Sequence, residues 1–416
     1  MQRNVKILLA AAVAVSTASV AQAEKKYGPG VTDTEIKIGN IMPYSGPASA
    51  YGVIGKTEAA YINMINEKGG INGRKINFIS YDDGYSPPKT VEQARKLVES
   101  DNVLMIFNSL GTPPNTAIQK YMNAKKTPQL FVATGATKWN DPKHFPWTMG
   151  WQPNYQGEGV IYAHYILKNK PKAKIAILYQ NDDYGKDYLK GFMDGLGGKI
   201  KPVMTLSYEV SDPTIDSQMT RLQASGADTF FNITTPKFAA MAIKKSAEMK
   251  WKPLHFLNNV SASVGAVLKP AGFENSQGII STGYLKDPTD PQWKNDAGFK
   301  NWSAFVDKYM PGADKTNANI VYGYNVAQGL VQVLKDIFSV VGGNEQIIDK
   351  LEEGARRAGA HERACARGPA RSPTEPTASR STPRASWKIT SPISSSSRCR
   401  CRPWPALPGG RTACSA

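Results

Sequence analysis

Residues 36–83 read IKIGNIMPYSGPASAYGVIGKTEAAYINMINEKGGINGRKINFISYDD, and this stretch decides the fold class. Residues 36–42 are a short run built on isoleucine and methionine and read as a strand. Residues 51–68 place apolar side chains at helical spacing. Gly69-Gly70 ends that helix, because glycine accepts the left-handed backbone of a C-terminal cap. Residues 75–81 are strand-like again. A strand, a helix and a strand in this order predict a βαβ unit, and therefore a parallel sheet.

The alternation continues outward from this unit. Helix is expected at 89–99, 115–123, 155–168, 186–196, 217–224 and 238–249. Strands are expected between them, at 103–107, 129–132, 174–179, 203–210, 228–233 and 254–257. A further strand over 278–285 and helices over 292–309 and 319–338 follow. Connections 139–153, rich in Pro and Trp, and 286–292 break the style and read as hinges. They divide the chain into lobe one, residues 24–150 plus 286–350, and lobe two, residues 151–285. The expected fold is α/β, with a parallel sheet flanked by helices in each lobe.

The N-terminus reads as an export signal over residues 1–23. Arg3 and Lys6 give a positive start, residues 7–15 are apolar, and Ala21-Gln22-Ala23 offers the small-x-small cleavage pattern. A membrane anchor needs roughly 18–20 apolar residues, and the small Ala and Ser residues from 14 to 23 argue against one. No Cys lies near the cleavage site, which excludes a lipoprotein. The mature protein is expected to begin near Glu24 and to work in the periplasm.

Charge and cysteine divide the chain elsewhere. The net charge is +17, yet residues 24–353 carry 37 basic against 32 acidic side chains, and residues 354–416 carry 12 against 2. Lysines spread singly over the body are an ordinary solvated surface, so no nucleic-acid partner is expected. All four cysteines, Cys365, Cys399, Cys401 and Cys414, lie in the last segment. That segment has no Val, Phe or Tyr, and it contains the run Ser394 to Ser397. It cannot bury enough apolar surface to offset chain entropy, so it is expected to be disordered. A basic tail with Cys399 and Cys401 as metal ligands is one reading. The reading preferred here is translation in a shifted frame, which the encoding DNA would reveal.

No catalytic constellation is present. Gly55-Lys56-Thr57 resembles the end of a phosphate loop, but its first glycine would fall at Ala50. His144, His164, His255 and His361 are scattered. The pairs Asp82-Asp83 and Asp182-Asp183 directly follow strands, where acids cap helices or line a cleft rim. An enzyme, a metal site and a cofactor are therefore not expected.

Several blocks in order resemble the periplasmic branched-chain amino-acid-binding (Leu/Ile/Val-binding-like) family. They are Ile36-Lys37-Ile38-Gly39, Ser45-Gly46-Pro47 with Tyr51-Gly52, Asn66 to Arg74, Tyr81-Asp82-Asp83, Asp182-Asp183-Tyr184-Gly185-Lys186 and Tyr322-Gly323-Tyr324. The resemblance runs from about residue 33 to 338. It implies a two-lobed type I periplasmic-binding-protein fold with three crossovers, the substrate-binding component of an ABC transporter. The implied partners are a small-molecule carboxylate ligand and the membrane permease of an importer, with the receptor itself a monomer. A ligand sensor acting on a regulator would use the same fold.

The resemblance also implies site residues. The loops after the strands at 103–107 and 129–132 hold a ligand carboxylate in that family, which carries over to Gly111, Thr112, Gly135 and Thr137. Unpaired N–H groups at a helix start suit such an anion. Ordinary turn chemistry is the other reading of both loops. Tyr51 and Tyr184 match aromatic positions that close over the ligand. Trp139, Trp147 and Trp151 cluster in the hinge connection. Relatives that bind amino acids place an acid just after the strand at 254–257 and a tyrosine in the preceding loop. Here Val260 and Thr234 fall nearest those positions. A buried ammonium without a carboxylate is costly, so the preferred ligand is a carboxylate lacking an α-amino group, such as an aromatic or short organic acid. Amino-acid binding is left open if Asp182, Asp183 or another acid reaches the cleft.

Overall fold

The computed structural model describes residues 27–340. The export signal, the segment 354–416 and the part of lobe one past 340 lie outside the described residues. Among the described residues, one sheet contains β1 (Glu35–Met42), β2 (Lys75–Asp82), β3 (Met105–Phe107), β4 (Gln129–Val132) and β5 (Thr148–Gly150). Its order is β2-β1-β3-β4-β5. The other contains β6 (Ile175–Gln180), β7 (Met204–Tyr208), β8 (Thr229–Ile233) and β9 (Leu254–Leu257), in the order β7-β6-β8-β9. All neighbouring strands are parallel.

The helices are α1 (Val53–Glu67), α2 (Pro87–Arg95), α3 (Thr112–Ala124), α4 (Tyr155–Asn169), α5 (Asp183–Leu196), α6 (Asp216–Ala224), α7 (Pro236–Glu248), α8 (Lys269–Ala271), α9 (Ala297–Tyr309) and α10 (Ala318–Val340). α3 starts earlier than the periodicity suggests, because Pro113 and Pro114 fit a first turn whose N–H groups have no helical partner. Central β1 has Ile36, Ile38, Ile41 and Met42 fully buried, which explains why isoleucine and methionine dominate its apolar positions.

The stretch 278–285 departs from expectation. It forms a single parallel bridge, Ile280 to Phe256, instead of a strand. Ile280 exchanges bonds of 2.9 Å with Leu257 and His255, and Gly278 at φ +77° turns the chain just before it. Pairing on one flank only, beside a left-handed glycine, leaves β propensity without a ladder to express it.

The chain leaves the first sheet after β5, builds α4 to α8 around the second, and returns. α9 and α10 then pack on α1, where Tyr61 meets Phe305 at 5.7 Å and Tyr324 edge-on at 5.1 Å. The lobes also touch directly. Gly265 donates to the Thr316 carbonyl at 2.9 Å, and the Ala318 N–H donates to Ser263 Oγ at 3.0 Å. Among the described residues, no helix is long and apolar enough to cross a membrane.

α4 and α5 approach closely through glycine. A Cβ on Gly191 would lie 2.2 Å from the Gln156 carbonyl oxygen, and one on Gly159 would lie 2.6 Å from the Phe192 nitrogen. Both obstacles are backbone, so they cannot swing aside. Gly191→Val should therefore lower stability by about 1–3 kcal/mol or more through overpacking, read as a reduced urea midpoint. Lys190→Ala, next door on the exposed side, should change it by less than about 0.5 kcal/mol.

Candidate functional site

Both sheets have a switch point: β1 lies between β2 and β3, and β6 between β7 and β8. Loops leaving the carboxyl ends of such strands diverge and open a crevice. Residues from both crevices line one cavity of about 150 Å³, a volume that accommodates a benzene-sized molecule. Lobe one contributes Tyr51, Tyr85, Gly111, Thr112 and Ala133. Lobe two contributes Tyr155, Tyr184, Thr235, Asn259 and Val260. Tyr284 from the returning segment and Tyr322 from α10 complete the wall.

Of the residues singled out in the sequence, Tyr51, Gly111, Thr112, Tyr184 and Val260 line this cavity. Tyr51 crosses the cleft, donating its hydroxyl to the Val260 carbonyl at 3.0 Å. Tyr184 donates to the Thr234 carbonyl at 3.1 Å. Thr112 Oγ1 lies 2.5 Å from Thr134 Oγ1. Gly135, Thr137 and Thr234 are not among the lining residues. The Gly135 carbonyl accepts the Tyr155 N–H at 2.8 Å. Thr137 is drawn away by α5, with its N–H and Oγ1 both donating to Asp187 Oδ2, at 2.8 and 2.9 Å. Thr234 is fully buried, and its carbonyl also takes Asn258 Nδ2 at 2.9 Å. Trp139, Trp147 and Trp151 do not line the cavity either; Trp151 packs 4.7 Å from Phe131.

The amide supply differs from the anion cradle expected at these loops. Pro113 and Pro114 carry no N–H, so of the first three residues of α3 only Thr112 has an amide to offer. After β4, Ala133 donates to the Ser109 carbonyl, Thr134 to the Val132 carbonyl and Ala136 to Thr134 Oγ1. Polar capacity toward a ligand resides mainly in hydroxyls. Burial pushes the phenols of Tyr51, Tyr85, Tyr155, Tyr184 and Tyr322 upward. All are neutral at physiological pH, and Tyr51 and Tyr184 already spend their protons on the Val260 and Thr234 carbonyls.

The tyrosines at 85, 155, 284 and 322 carried no site signal in the sequence except Tyr322, inside Tyr322-Gly323-Tyr324. Tyr85 has φ +64°, a left-handed backbone that costs an aromatic residue roughly 1–3 kcal/mol. Charge is sparse in the lining. Lys286 and Asp287 are exposed, Lys286 pairs with Asp296 at 2.6 Å, and Asp287 Oδ1 accepts the Thr289 N–H at 2.8 Å. Asp182 caps α5 by accepting from Tyr184 and Gly185, and Asp183 pairs outside with Lys138 at 2.6 Å. Glu158 lies beneath the turn after β9. Its Oε1 takes the Asn259 N–H at 2.8 Å and the Tyr162 hydroxyl at 2.9 Å, and its Oε2 takes the Tyr188 hydroxyl at 2.6 Å. Among the described residues, no cluster of His, Cys, Asp and Glu could hold a metal ion.

Residues 35–366 match the periplasmic binding protein family, and the chain belongs to it. It is 26% identical over 309 residues to Leu/Ile/Val-binding protein homolog 1 of Brucella abortus, covering 72% of this chain and 78% of that protein. It is 26% identical over 236 residues to the leucine-specific-binding protein of Salmonella typhimurium. That second match covers 55% of this chain and spans 59% of the relative's length. In fold, the chain resembles a fatty acid ABC transporter substrate-binding protein from Thermomonospora curvata, with a TM-score of 0.66 and 22% identity. That likeness covers 81% of this chain and 83% of the other. The fold is therefore the type I periplasmic-binding fold, and the relatives are by name binding proteins.

Behind the site, Glu58 on α1 is fully buried, and Asn40 Nδ2 donates to its Oε2 at 3.2 Å. Burial pushes its carboxyl well above the usual range. The folded state thus keeps a proton that the unfolded chain releases near pH 4.3. Stability from this group is undiminished below that pH and falls as pH rises toward the folded value. Glu58→Gln should remove this loss, so its stability relative to the parent protein should rise between pH 4 and pH 7–8. Urea unfolding of both proteins across that range checks it through the difference between their slopes.

Proposed function

We propose that this chain is a periplasmic solute receptor that delivers a small carboxylate to an ABC importer of the branched-chain amino-acid class. The ligand in this reading is an aromatic or short organic acid lacking an α-amino group. The observation that carries it is the composition of the cavity wall. The phenols of Tyr85, Tyr155 and Tyr322, the Thr112 hydroxyl and the Asn259 amide supply polarity, while Tyr51, Tyr184 and Thr235 spend their protons within the protein, and no buried carboxylate lines the space. A ligand carboxylate finds donors there. A ligand ammonium would be desolvated without a counter-charge, which costs several kcal/mol. Glu158, the nearest acid to the turn after β9, spends both oxygens on Asn259, Tyr162 and Tyr188.

The names of the relatives support transport and leave both ligand types open, since one is leucine-specific and a fold neighbour belongs to a fatty acid transporter. A volume of about 150 Å³ favours a ligand near the size of one ring over a long chain. The mature receptor would work as a monomer in the periplasm and hand its ligand to the membrane permease. Calorimetric titration with 4-hydroxybenzoate and with L-leucine separates the alternatives. The acid should bind at roughly micromolar Kd, about −8 kcal/mol, and leucine at least tenfold more weakly. Tight leucine binding with no response to the acid would refute the reading.

A further inference from the structure

The carboxylate pair Asp82-Asp83 has so far been given no function, and it ends at the most strained residue of the cavity wall. Asp82 Oδ1 gathers three amides, from Tyr44 at 2.9 Å, Gly84 at 2.9 Å and Ser45 at 3.2 Å. Asp83 is fully buried. Its Oδ1 accepts the Tyr85 N–H at 2.8 Å, and its Oδ2 accepts the Thr90 hydroxyl at 2.7 Å. Together they fix residues 84–85 from both sides and hold Tyr85 at φ +64°. The Tyr85 side chain is then only 6% exposed, against the cavity.

The ring's position is fitted to one neighbour. A Cβ on Gly111 would come within 2.4 Å of Tyr85 Cε2, so the two residues share one space and only glycine leaves room for the ring. Gly111 and Thr112 line the lobe-one end of the cavity. A bulky aromatic held in a left-handed conformation persists only where its surroundings over-determine it, and such outliers cluster at ligand clamps.

We propose that Tyr85 is the specificity-determining residue that limits ligand length, its ring filling the cleft beside Gly111, and that Asp83 is the positioning residue that holds it there. The inference rests on the receptor reading, but not on which ligand class is correct. Tyr85→Gly removes the ring and suits the backbone, since glycine takes a positive φ without strain. Tyr85→Asn, which also tolerates that backbone, serves if the glycine variant does not fold. Tyr85→Phe keeps the ring.

The full chain and its variants would be titrated calorimetrically with two graded series. One is benzoate, phenylacetate, 3-phenylpropionate and 4-phenylbutyrate; the other is L-alanine, L-valine, L-leucine and L-phenylalanine. In the series that binds, Tyr85→Gly should move the affinity optimum at least one member longer, weakening the wild-type optimum about tenfold and strengthening the next member. Tyr85→Phe should keep the wild-type profile. Asp83→Asn should shift the profile part of the way, which a purely structural defect, weakening all members equally, would not do. An unchanged optimum in Tyr85→Gly or Tyr85→Asn overturns the inference. Binding of the amino-acid series alone overturns the proposed ligand class, while the length profile still decides for or against Tyr85. Binding of neither series by any of the proteins overturns both.

Discussion

Parallel strands must all end at the same edge of their sheet, and the rest of this protein depends on that constraint. Each crossover returns the chain to the opposite edge, so the loops after β1, β2, β3 and β4 emerge together, as do those after β6, β8 and β9. Residues distant in sequence, such as Tyr51 and Val260, therefore meet across one cleft. The chemistry of the site is the chemistry of what those loops carry. Here they carry tyrosines, threonines and asparagine, with the buried acids engaged as caps and braces. Asp182 caps the start of α5, Asp83 holds a turn, and Glu158 supports the turn after β9.

This division of labour accounts for the neutrality of the wall. A carboxylate that accepts backbone N–H groups stabilises a loop and has little capacity left for a ligand. Hydroxyls differ, since each can donate to a ligand and still accept from the protein. Where two of the first three helical residues are proline, as in α3, the helix start gives up most of its amide donors and hydroxyls take over that function.

Much of the fold could be read from the sequence, because strands such as β3 and β6 are covered on both faces and appear as largely apolar runs. The failures have physical causes. β5 has three residues and no periodicity to detect, and 278–285 has strand-like composition but pairs on one flank only. Within the site, the direction of each loop is set by a tertiary bond that sequence does not carry. Asp187 pulls Thr137 outward although it lies fifty positions away. Tyr85 was equally hidden, because a lone aromatic after Asp-Asp-Gly reads as an ordinary turn and its left-handed backbone leaves no compositional trace. Tyr51 and Tyr184 emerged because neighbouring motifs marked their loops.

The bond between Tyr51 and residue 260 has a consequence for how such a receptor can diversify. Its acceptor is a main-chain carbonyl, which every amino acid possesses, while the Val260 residue itself borders the ligand space. The fastening of one lobe to the other is thus independent of the side chain that the ligand meets. Substitution at 260 can retune what is held and leave the latch intact, so ligand preference and lobe closure are free to change separately.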